Sequence, residues 1–201
     1  MEQEAGSNML AMSAILEYPQ KHPISAEEYL RMGEAGVFAP EARLELIEGE
    51  IVEMAPFHPP HAGLVRRLSR LFFERAGGRA QVSVQAPLVV SHRSVPQPDL
   101  ALLLPRADDY MRSHPQAPDV FLVVEVADTS LGFDARVKAP LYARCGIVEA
   151  WVVDVNEHVI HVFRGPHESG YRQIGTARSG ESVECRALPG IIIGVDELFG
   201  A

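Results

Sequence analysis

Apolar and polar positions in this chain follow two periods, one helical and one extended, and the switches between them mark the elements. Residues 1 to about 22 show no clear period and end in Pro19, Lys21, His22 and Pro23, which predicts a flexible leader before a single domain over 23–201. Ser25 and Glu28 have the spacing of a capping box, so a short helix is expected there, ending near Gly33 to Gly36. Two alternating runs, Arg43 to Ile47 and Glu50 to Met54, flank Glu48-Gly49 and read as a β-hairpin. From His61 to Ala76 the residues Leu64, Val65, Leu68, Leu71 and Phe72 fall on one helical face, and Gly77-Gly78 stops the helix. Gln81 to Val90 is strand-like.

Asp99 to Leu104 and Val120 to Val126 are almost continuously apolar, as central strands buried on both faces would be. Phe133 to Arg144 reads as a helix that Pro140 should bend or shorten. Ile147 to Val155, Val159 to Arg164 and Tyr171 to Gly175 read as further strands, and Val195 to Phe199 as a short terminal turn. The expected fold class is α/β, a mixed central sheet flanked by helices.

Composition narrows the function classes. At 201 residues, with 47% apolar and 22% charged side chains, the chain can build a sizeable core. A formal net charge of −9 argues against binding nucleic acid with the whole surface. The charge is uneven, however: residues 61–93 hold six arginines and one acid, Glu74. Cys145 and Cys185 lie in no C-x-x-C pattern, which excludes a disulfide scaffold and suggests a reducing compartment. No apolar run reaches the roughly 18–20 residues of a spanning helix, so no membrane contact and a cytoplasmic location are expected.

Candidate chemistry begins with Asp99 and Glu125, two acids inside or beside apolar runs. If the two strands pair antiparallel with Asp99 opposite Glu125, then Leu104 faces Val120 and residues 105–119 form the connection. Opposed residues share a face of the sheet, and like charges so close repel unless a cation stands between them. Two carboxylates with open positions suit Mg²⁺ or Mn²⁺; the competing interpretation is a pair of strand-end acids bonded to backbone or arginine. Lys138, four residues after Asp134, could reach back over the sheet end, and Glu45 could face the same cleft from the hairpin. His58-Pro59-Pro60-His61 reads as a turn rather than a zinc pair, with His61 capping the helix or lying near the cleft. Tyr142 and Trp151 read as core aromatics, and Cys145 as a buried thiol.

Pro98-Asp99, Glu125 on the neighbouring strand and a nearby lysine resemble the PD-(D/E)xK nuclease superfamily. Leu44 to Ile51, His61, Pro98-Asp99-Leu100, Val124-Glu125-Val126, Asp134 with Lys138, Tyr142 and Gly146, and Glu149 to Asp154 resemble more closely the Uma-type endonuclease family, a large bacterial group long carried as a domain of unknown function. The resemblance spans about residues 24–199. It implies a restriction-endonuclease-like core and hydrolysis of DNA phosphodiesters with a divalent metal. It further implies that Asp99 and Glu125 are metal ligands, Glu45 an accessory acid and Lys138 the catalytic lysine. The superfamily's usual lysine position, two after the acid, is Ala127 here, and Asp128 stands where the Uma-type group usually has Ser.

The leading expectation is therefore a Mg²⁺-dependent endonuclease, a homodimer by the same resemblance, with Arg66, Arg67 and Arg70 as candidate DNA contacts. Two others compete: a catalytically weak or inactive nucleic-acid-binding or assembly protein on the same fold, and a phosphodiesterase for small nucleotides.

Overall fold

The computed structural model describes residues 21–200; the expected leader lies outside the described residues except for its last two. Ser25 caps α1 (Ala26–Glu34): its side chain accepts from the Glu28 N–H while the Glu28 carboxylate accepts from the Ser25 N–H. The hairpin β1 (Leu44–Ile47) and β2 (Glu50–Glu53) closes on Glu48-Gly49 with Ile47 opposite Glu50. Both loop residues have positive φ, 51° and 88°, the geometry of a type I′ turn. A Cβ on Gly49 would lie 2.7 Å from Pro23 Cβ, so glycine is also what lets the preceding chain pack there.

The long helix α2 (Pro59–Ala76) begins two residues earlier than expected, with proline in its first turn, and ends at Gly77 in the left-handed region. The strand expected over 81–90 is shorter: β3 (Gln81–Val84) stops because Gln85 has φ 48°, which turns the chain out of the ladder.

Six strands form the central sheet in the order β3-β4-β5-β6-β7-β8. They are β3, β4 (Leu100–Leu103), β5 (Val120–Ala127), β6 (Glu149–Asp154), β7 (Val159–His167) and β8 (Gly170–Ala177). Leu100 pairs with Val124, so the expected register holds at the Asp99 end. At the other end a bulge between Leu102 and Leu103 sets Leu103, not Leu104, opposite Val120. β5 and β6 are parallel, whereas the other pairings in this sheet are antiparallel.

A parallel pair needs a crossover. Here it runs through α3 (Leu131–Phe133), a π-helical segment (Asp134–Lys138) and α4 (Ala139–Arg144). The expected disturbance by Pro140 takes this form. In a regular α-helix the proline ring would press on the Arg136 carbonyl and leave it without a donor. The wider turn moves the proline ring off that carbonyl, and the Ala139 N–H reaches the Asp134 carbonyl.

Alternate strand residues divide the core. Leu100, Leu102, Leu122, Val124, Trp151 and Val153 pack with α2 on one face; Ala101, Leu103, Val123, Ala127 and Val152 pack with Leu141 and Tyr142 on the other. Asp99 and Glu125 have the parity of the second face, so both point under the crossover. A third cluster joins Tyr29 of α1 to Leu46 and Val95. Two short strands not anticipated from the sequence, β9 (Ser182–Glu184) and β10 (Ile192–Gly194), pair antiparallel. The expected terminal turn is a helix, α5 (Val195–Phe199). These C-terminal elements add Val183, Ile191, Ile193 and Leu198 to the α2 side of the core.

Candidate active site

The crossover, the hairpin, the start of α2 and the ends of β4 and β5 enclose one cleft. Its walls include Arg43, Glu45, Phe57, His61, Asp99, Glu125, Asp128, Asp134 and Lys138. Asp99, Glu125, Glu45, Lys138 and His61, all proposed from the sequence, thus meet in one place.

Lys138 is its centre. The residue is 1% exposed, and its ammonium lies 2.9 Å from Glu125 Oε1 and 3.1 Å from Glu45 Oε1. The π segment sets Lys138 over the sheet end, while α4 brings Tyr142 around one turn later to donate to Glu125 Oε1 at 2.5 Å. Burial alone would lower the Lys138 pKa, but Glu125 and Glu45 outweigh it and raise it, so the lysine remains an ammonium. Burial pushes Glu125 well above the ordinary carboxylate value; Lys138 opposes this, and the neighbouring acids add to it. Burial likewise raises Asp134, which accepts from the Ser130 hydroxyl at 2.5 Å, and Tyr142.

Asp99 is bound differently. One oxygen lies 3.1 Å from His61 Nε2 and accepts from the Val126 N–H at 2.8 Å; the other accepts from the Gln85 side chain at 3.1 Å. Burial works to raise its pKa, but the His61 interaction and the two further hydrogen bonds hold it below the usual range. His61 is 7% exposed, stacks on Phe57 at 4.5 Å, and leaves its buried Nδ1 without a partner. It lines the cleft, and the N-cap of α2 is His58, whose ring lies 2.8 Å from Asp128. Asp128 is therefore engaged at the cleft rim by a histidine.

The carboxylate repulsion anticipated from the register is met by the protein's own groups, Lys138 and His61. Among the described residues no three His, Cys, Asp or Glu side chains are drawn together as a ready ligand cluster. The donor set is nonetheless all-oxygen, and Glu45 Oε2 is buried with no hydrogen-bond partner. An unpaired buried carboxylate oxygen is costly, and it fits a hard cation in kind.

The arginine strip lies away from the cleft, with Arg66 and Arg70 exposed to solvent. Arg66, Arg67 and Arg70 do not line the cleft. Arg67 donates to the Leu198 carbonyl at 2.7 Å and Arg70 pairs with Glu74 at 3.1 Å, while Arg66 is exposed. Arg75 bonds the Ile192 carbonyl and pairs with Glu197 at 2.5 Å, and Arg79 donates to the Pro189 carbonyl at 2.7 Å. Arg67 and Arg75 of α2, with Arg79 just after it, fasten this part of the chain to the C-terminal elements.

Sequence reasoning missed three site residues. Tyr142 lies four residues after Lys138 in the crossover, and Arg43 lies two before Glu45 on one face of the hairpin; both spacings were available as signals. Gln85 gave none, because it depends on the left-handed turn after β3. Trp151 is a core residue as expected, with no exposure, whereas Cys145 is only half-buried. No helix among the described residues is long and apolar enough to cross a membrane.

The fold has a counterpart among solved structures. A crystal structure of a "putative nuclease belonging to DUF820" from Anabaena variabilis superposes with a TM-score of 0.70 at 14% identity, covering 89% of this chain and 98% of that one. At that identity the likeness shows a shared, nuclease-like α/β fold. No curated protein matches the chain. The family model named Uma2, described as "Putative restriction endonuclease", matches residues 26–196, and the chain belongs to that family.

Proposed function

We propose that this protein is a metal-dependent endonuclease that hydrolyses DNA phosphodiester bonds. The observation that carries this reading is the convergence of Glu45, Asp99, Glu125 and Lys138, from β1, the two paired strands and the crossover, in one cleft. Glu45, Asp99 and Glu125 would hold Mg²⁺ or Mn²⁺. Such an ion supplies Lewis acidity and a water acidified toward neutrality. Lys138, fixed by two carboxylates, acts as a stationary positive charge that orients the nucleophile and offsets negative charge developing on the phosphate. Tyr142 holds Glu125 in place. His61 and the Val126 N–H hold Asp99, so the carboxylates are oriented before substrate arrives. Cutting both strands of a duplex calls for two such clefts, and the reading includes a homodimer.

One observation favours a second reading, a nucleic-acid-binding or assembly protein without turnover: Lys138 already stands between two of the three carboxylates and is almost wholly buried. Supercoiled plasmid with Mg²⁺ or Mn²⁺ separates the two. Wild type should nick it, and Glu125→Gln should lose at least about a hundredfold in rate, as removal of a transition-state-stabilising group does. Equal inertness of wild type and Glu125→Gln, with salt-dependent DNA binding retained, would establish the second reading. Cleavage of a small phosphodiester without DNA affinity would instead identify a nucleotide phosphodiesterase.

A further inference from the structure

We propose that Arg43 is the residue that receives a backbone phosphate of the nucleic acid, held ready by Phe57. The inference rests on the nuclease reading for its substrate class and concerns how an acidic cleft accepts a polyanion at all.

Five carboxylates line the cleft: Glu45, Asp99, Glu125, Asp128 and Asp134. Lys and Arg supply only two cations to its lining, Lys138 and Arg43. Lys138 is enclosed by Glu45 and Glu125 and presents almost no surface. His61 is committed to Asp99 and His58 to Asp128. That leaves Arg43. Among the described residues its side chain bonds a backbone carbonyl, that of Ala55, and pairs with no carboxylate. Its guanidinium carbon sits 3.3 Å from the Phe57 ring centroid, and the residue is only half-buried.

The arrangement has the form of a stack. Arg43 lies on Phe57, Phe57 stacks on His61, and His61 bonds Asp99. Stacking on an aromatic face immobilises the planar guanidinium without consuming its charge or all of its donors. The fork thus stays available for two parallel hydrogen bonds to phosphate oxygens. Arg43 also lies two residues before Glu45 in the hairpin, so a phosphate bound there would be placed beside the carboxylates. Phe57 is a positioning residue in this arrangement.

The test is binding of a short fluorescent DNA duplex across a salt series, with Ca²⁺ in place of Mg²⁺ to prevent turnover. Arg43→Ala should weaken binding about tenfold and reduce the slope of log affinity against log salt by about one, as loss of one phosphate contact does. Arg43→Lys should keep the slope and lose part of the affinity, because the charge remains and the fork does not. In cleavage assays Phe57→Leu should raise KM more than it lowers kcat. Arg178→Ala, exposed and outside the cleft, serves as the reference for a general loss of charge. Wild-type affinity and slope in Arg43→Ala, or an equal change in Arg178→Ala, would overturn the inference while leaving the nuclease reading intact. If no form cuts DNA, the nuclease reading fails and the binding slopes still decide the role of Arg43. A wild type that does not bind DNA overturns the inference outright. Melting temperatures of all variants exclude misfolding, and Arg43→Lys carries the test if Arg43→Ala is unstable.

Discussion

Lys138 sits where a hydrophobic residue of its size would ordinarily be more stabilising, since two buried carboxylates must be desolvated with it. Once Glu45 and Glu125 are there, its charge is indispensable. Lys138→Met should lower stability by about 3–5 kcal/mol, because both acids lose their counter-ion in a buried site. Adding Glu125→Gln should recover part of that loss by removing one of them. Urea denaturation at neutral pH measures both effects, and a Lys138→Met protein as stable as wild type would show that the cluster does not bear on folding. The site was legible in the sequence as far as pairing rules reach. Asp99 and Glu125 follow from the register of two apolar runs, which Leu100 opposite Val124 bears out. Lys138 and Glu45 needed the resemblance as well, because each is separated from its partners by a long stretch of chain. Arg43 looked like an ordinary polar residue at the start of a hairpin; its role depends on Phe57, which belongs to a loop with no pattern of its own.

At the scale of elements, the sequence was most informative where a structure is closed by neighbours in the chain. The capping box of α1 is such a case, and it makes a pH prediction. The backbone and side-chain hydrogen bonds from Ser25 lower the Glu28 carboxyl from an ordinary 4.5 to about 2. A carboxyl with a lowered folded-state pKa contributes stability above its unfolded value, and loses it as pH falls through the folded one. The cap of α1 should therefore weaken between about pH 4.5 and pH 2. A carbon-detected titration should find Glu28 near 2 in wild type and close to its ordinary value in Ser25→Ala; no difference between them would remove the cap as the cause. Ser25→Ala itself should cost about 1 kcal/mol. The hairpin was legible for the same local reason. The π segment was not. Pro140 announced a disturbance, but whether a helix answers a proline by kinking, ending or widening depends on packing against the sheet. Nor was the end of β3, since a left-handed Gln85 carries no marker of the kind that glycine or asparagine provides.

At the scale of the whole molecule, the net charge of −9 and the basic segment 61–93 suggested a divided surface. The division exists in the sequence, and the fold leaves Arg66, Arg70, Arg79 and Arg93 exposed while Arg67 and Arg75 are half-buried. Composition locates charge along the chain, while Arg67, Arg75 and Arg79 are fixed by carbonyls more than a hundred residues away, such as that of Leu198 for Arg67. Periodicity could place Arg67 and Arg75 off the apolar face of α2; it could not show that β10 and α5 bond to them, or that the Pro189 turn bonds to Arg79.

The C-terminal elements therefore tie charge down. A chain clipped after Ala177 would lose Ile191, Ile193 and Leu198 from the core, and at the same time would release the guanidiniums of Arg67 and Arg75 on α2 and of Arg79 just after it. Such a fragment should unfold more easily than the intact protein and yet adhere more strongly to heparin or to any other polyanion. Comparing the heparin elution of intact and clipped protein tests this, and equal elution would refute it. Stickiness of this kind would have nothing to do with the cleft. In a preparation nicked near its C-terminus, DNA retention would measure damage rather than recognition.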